Sequence, residues 1–339
     1  MQLLDISHLG YKNILVTGGA GFIGSNLVDR LVLLNNNVTV LDNLFTGKLE
    51  NIDSFADINF INGSVTDSSL VNELVSKADI IFHLAAGNIM LSTENPDADF
   101  QVNVGGTLNV LLAAKKYNVE KIVFASSASV YGNAINFPIQ EETSLRPLSP
   151  YAASKISAEN YCVAFYESFE IPLTILRFSN VYGIKQNPIN KYCGVIAKFF
   201  DCIANNYPLK IYGNGEQTRD FTHIDDTIDA AILAAISPKA IGEVYNISSG
   251  KETSINNLAK LILQIAGKEL EHLHIEPRVI DNINRRELST EKIRKSLHWS
   301  PVISLDSGLK KTYEWFNSIN PNLFKEELYI SSKAVNLFN

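Results

Sequence analysis

Tyr151 and Lys155 stand four residues apart in Tyr-Ala-Ala-Ser-Lys, one helical turn along a single face. An ammonium beside a phenol favours the phenolate and so lowers the phenol's pKa. A tyrosine tuned in this way can take a proton from an alcohol near neutral pH. The pair alone says little, because Tyr-x-x-x-Lys arises by chance in many helices. Its meaning depends on what else the chain supplies.

A phosphate cradle is the first such element. Residues 12–17 form a short apolar segment ending at Thr17, Gly18-Gly19-Ala20-Gly21-Phe22-Ile23-Gly24 follows, and helical periodicity begins at Ser25. Strand, glycine turn and helix in this order suit a dinucleotide. Gly18 permits the tight turn, Gly21 lets backbone N–H groups approach a pyrophosphate, and Gly24 lets the helix pack close to the strand. Asn37-Val38-Thr39-Val40-Leu41 reads as the second strand and ends at Asp42, placed to hold a ribose 2′-hydroxyl and to repel a 2′-phosphate. No arginine lies in 42–47, so NAD is expected rather than NADP.

The chain has 339 residues, 46% apolar and 19% charged, an ordinary globular composition. Lys and Arg total 29 against 36 Asp and Glu, a net charge of −7, which argues against a general nucleic-acid partner. Cys162, Cys193 and Cys202 have neither metal nor redox spacing, and three is an odd number, so a reducing, cytoplasmic setting is expected. Residues 1–8 lack the basic and long apolar parts of a signal peptide, and no apolar run reaches ~18 residues, so no membrane span is expected. The histidines show no ligand pairing, and no metal is expected.

Further strands are expected at 59–62, 79–84, 121–125 and 173–177, with a long helix at 99–117 and another bearing Tyr151 and Lys155. Such alternation predicts an α/β fold: a doubly wound parallel (Rossmann) sheet with helices on both faces. Beyond residue 180 a loop at 182–188, helices at 192–205, 225–235 and 255–266, and a short strand and turn at 211–215 indicate a smaller C-terminal α/β lobe. The expected division is 1–180 with a returning segment of about 218–250 for the cofactor, and 181–217 with 251–320 for the substrate. The tail 321–339 receives no assignment. Ligands of such sheets bind at the carboxyl ends of the strands. That selects His83-Leu84-Ala85-Ala86, Ser126-Ser127-Ala128-Ser129-Val130-Tyr131-Gly132 and Arg177-Phe178-Ser179-Asn180. The small alanines let backbone approach a cofactor, His83 reads as a packed structural histidine, and Ser127 can donate to or accept from a substrate oxygen.

Together with Asp42-Asn43, Asn103-Val104-x-Gly106-Thr107, Asn180-Val181-Tyr182-Gly183 and Arg219-Asp220-Phe221, these motifs resemble the extended short-chain dehydrogenase/reductases, in their NAD-dependent sugar epimerase/dehydratase group. The resemblance runs from about residue 12 to 310. It implies Tyr151 as base, Lys155 on the nicotinamide ribose and Ser127 as third member. It places Gly18, Gly21, Phe22, Ile23, Gly24, Asp42, Asn43, Ser64, Val65, Leu84, Ala85, Ala86 and Asn103 at NAD, with Ser64 where relatives usually carry an aspartate. It places Asn180, Arg219 and Arg278 at a nucleotide diphosphate, which suits the guanidinium fork. It further implies a homodimer paired through helices 99–117 and 151–169. Dehydratases of the group resemble Thr-Asp-Glu and decarboxylating relatives Ser-Glu where this chain has Ser127-Ala128-Ser129. Without those carboxylates, the expectation is a 4-epimerase of UDP-glucose/galactose or their N-acetyl forms. A dehydratase and a non-catalytic NAD-binding protein are the alternatives.

Overall fold

The computed structural model describes residues 9–52, 58–188, 190, 193–278 and 282–318. The tail 321–339, the first eight residues and Tyr192 lie outside them.

Seven parallel strands form the central sheet. They are β1 (Asn13–Thr17), β2 (Asn37–Asp42), β3 (Asn59–Asn62), β4 (Ile80–His83), β5 (Lys121–Ser127), β6 (Leu173–Phe178) and β10 (Val244–Ile247), in the order β10-β6-β5-β4-β1-β2-β3. β4 and β6 are buried at every residue, and β1 and β5 at all but one, as parallel strands covered on both faces must be. One face packs against α1 (Phe22–Leu33) and α8 (Ile224–Ile236), through Leu27, Leu31, Ile228 and Ile232. The other packs against α2 (Ser68–Val75), α5 (Thr107–Tyr117) and α6 (Pro150–Phe169), through Val71, Val110, Leu111 and Phe165.

Strand order reverses between β1 and β4, and a ligand crevice opens there. A Cβ on Gly18, whose φ is +72°, would lie 2.7 Å from the Ala85 nitrogen. One on Gly24 would lie 2.1 Å from the Gly18 carbonyl oxygen. Both contacts are closer than a side chain tolerates, so the glycines set the approach of α1 and of the β4 loop.

Outside the central sheet, β7 (Asn180–Tyr182), β9 (Thr218–His223) and β11 (Glu252–Ser254) form one sheet, and β8 (Leu209–Tyr212) with β12 (His272–Ile275) another. A further core joins α7 (Val195–Ala204), α9 (Ile255–Ala266) and α11 (Leu305–Ser318) through Phe199, Phe200, Leu258, Ile262 and Leu309.

Several elements differ from the sequence expectation. The stretch 99–117 is a composite: α3 (Ile89–Glu94) is followed by α4 (Pro96–Phe100), then a π-helical segment over Gln101–Gly106, then α5. A widened turn of this kind re-aims side chains inside a helix. Here it turns Asn103 inward, and Gly106 lies against Val65, whose Cγ2 would be 2.5 Å from an added Cβ. The short strands β7, β9, β11 and β12, and α10 (Glu291–Leu297), carry too little periodicity to be read from the sequence.

Candidate active site

Ser149 caps α6 by accepting from the Ala152 amide (3.1 Å), and Pro150 takes the first helical position. This start fixes Tyr151 in the first turn and Lys155 in the second, against the end of β5. Ser127, the last residue of β5, accepts from the Ser129 amide and donates to the Ser129 hydroxyl, both at 3.1 Å. The structure thus brings Ser127, Tyr151 and Lys155 together.

Their electrostatics differ from the expectation. Burial pushes the Tyr151 hydroxyl up to about 12, a hydrogen bond with Ser127 pulls it back, and Asp99 raises it further. Lys155 Nζ donates to the Ala125 carbonyl (2.9 Å) above the Phe124 ring, and burial lowers it to about 8, with Asp99 and Glu159 opposing. Spacing along a helix gives a shared face, and the strand packed on that face decides where the ammonium points.

Asp99 went unnoticed in the sequence. It is 1% exposed, and Oδ1 accepts from Asn103 Nδ2 (2.8 Å). Asn103 Nδ2 also donates to Ser154 Oγ (2.9 Å), and its Oδ1 accepts from the Gly87 amide (2.8 Å). Asn103, expected at the cofactor, is therefore committed to protein partners and ties the β4 loop to α6. Burial raises the Asp99 carboxyl, and Ser154 and Lys155 oppose.

In the crevice, Asp42 Oδ2 accepts from the Ala20 amide (3.0 Å) and Oδ1 from Leu44 (2.8 Å), so the carboxylate orders the glycine loop itself. Burial raises its pKa, and those amides oppose. Phe22 and Ile23 are half-buried at the start of α1. Asn43 Oδ1 accepts from the Phe45 amide, and Ser64 Oγ pairs with the Thr66 hydroxyl (2.9 Å). Val65 is buried, Leu84 and Ala85 are half-buried, and Ala86 is exposed. Thr107 Oγ1 donates to the Asn103 carbonyl (2.6 Å) and so accepts from His83 Nε2 (3.0 Å). His83 Nδ1 is then left to accept from Thr17 Oγ1 (2.7 Å). Burial drops His83 to about 3. It is a neutral cross-link between β1, β4 and α5, as the sequence suggests.

On the smaller sheet, Asn180 opens β7, and Arg219 on β9 donates through Nη1 to the Thr218 and Ile283 carbonyls (2.8 and 2.9 Å). Arg278 is exposed, its guanidinium 4.3 Å from the Tyr212 ring centroid. Tyr212 lines a cavity of about 330 Å³ with Gly213, Asn214, Gln217, Pro277 and Asn284. An aromatic residue at a strand end before Gly-Asn-Gly was the available signal for it. Arg286, also unanticipated, is 5% exposed and close enough to Arg219 for the two charges to repel.

Residues 14–248 match the NAD dependent epimerase/dehydratase family. The chain belongs to that family. It is 41% identical over 310 residues to a putative UDP-glucose 4-epimerase of Methanocaldococcus jannaschii, covering 91% of this chain and 99% of that one. Among solved structures it resembles UDP-glucose 4-epimerase from Thermotoga maritima with UDP-glucose (TM-score 0.86, 36% identity, 90% of this chain and 98% of that one). It equally resembles UDP-N-acetylglucosamine 4-epimerase from Methanobrevibacter ruminantium in complex with UDP-N-acetylmuramic acid (TM-score 0.86, 34% identity, 91% and 99%). For a member of this NAD-dependent family the crevice fits its cofactor. Gly18 and Gly24 leave no room for a Cβ, and an acidic side chain closes the end of β2.

Proposed function

We propose that this protein is an NAD-dependent 4-epimerase of a UDP-hexose, UDP-glucose/galactose or the N-acetyl forms. The observation that carries this reading is the grouping of Ser127 and Tyr151 at the end of β5, with Ala128 and Ser129 beside them in place of carboxylates. Tyr151 removes the C4 hydroxyl proton and later returns it to the 4-keto sugar. Ser127 holds the same oxygen. NAD would be held by the Gly18–Gly24 loop, Asp42 and Lys155, and supplies the hydride acceptor and donor for C4. Arg219, Arg278 and Asn180 hold the diphosphate while the ketone turns its other face. Tyr212 offers its ring to the base in the adjoining cavity. Asp99 is the carboxylate whose charge reaches Tyr151, but it is buried behind Asn103 and tunes charge rather than handling the sugar.

Dehydration across C5 and C6 needs a second acid and base, which Ala128 and Ser129 do not provide. We read residues 1–180 with about 218–250 as the cofactor lobe and 181–217 with 251–320 as the substrate lobe. The outer faces of α5 and α6 support a homodimer, and three unbridged cysteines support a cytoplasmic setting.

The test is incubation with UDP-Glc, UDP-Gal, UDP-GlcNAc and UDP-GalNAc, with products resolved chromatographically. Interconversion of a C4 pair is expected, and release of a 4-keto-6-deoxy sugar would replace this reading with dehydration. Tyr151→Phe should reduce kcat by about 10²–10⁴. Near-normal turnover in that variant would remove Tyr151 from the chemistry.

A further inference from the structure

Glu159 lies one helical turn beyond Lys155 on α6 and is 3% exposed. Its carboxylate meets Arg177 of β6, itself 5% exposed. Arg177 Nε donates to Oε1 (3.0 Å) and Nη2 to Oε2 (2.7 Å), the two-pronged pairing of a guanidinium with a carboxylate. Oε1 also accepts from the Ser126 hydroxyl on β5. Arg177 Nη1 is committed to the Tyr131 hydroxyl (2.8 Å) and the Glu141 carbonyl (2.9 Å). Ser126 and Arg177 are register partners across β5 and β6, so one carboxylate grips both strands near their carboxyl ends.

A buried ion pair is weak evidence of a stabilising role, because well-packed apolar side chains often serve as well in its place. This pair sits where it touches the support of Lys155. Ser126 continues the peptide unit whose Ala125 carbonyl receives the Lys155 ammonium (2.9 Å). Glu159 thereby fixes the acceptor on which Lys155 rests, and its charge acts on that ammonium from one turn away. An ammonium has three donors, and the carbonyl takes one, which leaves two for the hydroxyls of a ribose; a neutral amine has one donor fewer. The other groups set around Lys155 are Asp99 on α4, Tyr151 and Cys162 on α6, and His83 on β4, which burial keeps neutral. Lys115 of α5 lies over the Phe169 ring at the far end of α6.

We propose that Glu159 is a positioning residue that holds Lys155 for the cofactor, and that Arg177 fixes the carboxylate in that role. This rests on the reading of Lys155 as a ligand of NAD given above.

Glu159→Gln alone leaves the Arg177 charge buried and unpaired, which is strongly destabilising. The informative variant therefore removes both partners, Glu159→Gln with Arg177→Met. Titration calorimetry of NAD into the nucleotide-free full chain, from about pH 6 to 10, follows affinity against pH. Burial brings Lys155 down to about 8, and Glu159 opposes that fall. Wild-type affinity should decline as pH rises through this value and the ammonium loses its proton. Without Glu159 the proton leaves more readily, so the decline should move to the acid side by about one pH unit. Lys155→Met should bind NAD more weakly and without that decline. Weaker binding by one factor at every pH, with the decline unmoved, would make the pair structural and overturn the proposal. A double variant that fails to fold would do the same. If Lys155→Met is weakened but the double variant matches wild type, Glu159 alone loses its role. If Lys155→Met binds as wild type does, the place of Lys155 at NAD is refuted, and this proposal with it.

Discussion

Tyr151 is legible from its sequence neighbours, but its chemistry is set by residues far away in the chain. The Asp99 charge raises both Tyr151 and Lys155, and it reaches them because α4 packs on α6, with Asn103 joining Asp99 to Ser154. Ser127 acts on Tyr151, Glu159 and Cys162 act on Lys155, and His83 beside them is held neutral by burial. Asp99→Asn keeps the shape and removes the charge, so both groups should lose their protons more readily. The acid limb of the kcat profile, followed between about pH 6 and 10, should move to lower pH. Loss of activity at all pH values with an unmoved limb would mean that Asp99 acts only through packing. This side chain was invisible in the sequence because a lone aspartate in a helical stretch reads as solvent-facing. It is the packing of α4 against α6 that buries it.

At the level of elements, the sequence is clearest where burial is two-sided. β1, β2, β5 and β6 are apolar runs bounded by turns, and their positions follow from that pattern alone. β7, β9, β11 and β12 are three to six residues long and partly polar, so periodicity cannot find them. They are held instead by specific polar hubs, of which Asp220 on β9 is the clearest. It is fully buried, and its two oxygens take four hydrogen bonds from Ser249, Gly250 and Leu288. An amide in its place would turn an NH₂ group toward backbone N–H donors. Asp220→Asn should therefore cost about 2–4 kcal/mol in urea unfolding. A change under about 0.5 kcal/mol would show that the hub is dispensable. The same dependence explains why Arg278 was readable and Arg286 was not. The exposed arginine sits in a recognisable Pro-Arg context, whereas the buried one is turned inward by hydrogen bonds that no local motif announces.

For the whole molecule, the sheet explains where chemistry occurs, and the helices that cover it explain how two copies could meet. α5 and α6 lie side by side on one face, and their outward residues are unusually apolar or small. Leu108, Leu112 and Lys115 follow one helical face of α5, and Ala153, Ser157, Tyr161 and Ala164 one face of α6. Leu112 is 51% exposed and Tyr161 41%. A surface of this kind is favoured when a second copy covers it, since two-fold pairing places the same patch on both sides. It also bears on function, because α6 carries Tyr151 and Lys155, so pairing along its outer face would stiffen the helix that presents the base. Leu112→Glu puts a charge where a solvent-exposed monomer would tolerate it and a paired helix would not. If two copies pair through this face, light scattering should show wild type at twice the mass of the variant, with an intact fold by circular dichroism and a lower kcat from a less constrained α6. A variant that keeps the wild-type mass would overturn pairing through this face, and one that is monomeric yet fully active would separate pairing from the positioning of Tyr151.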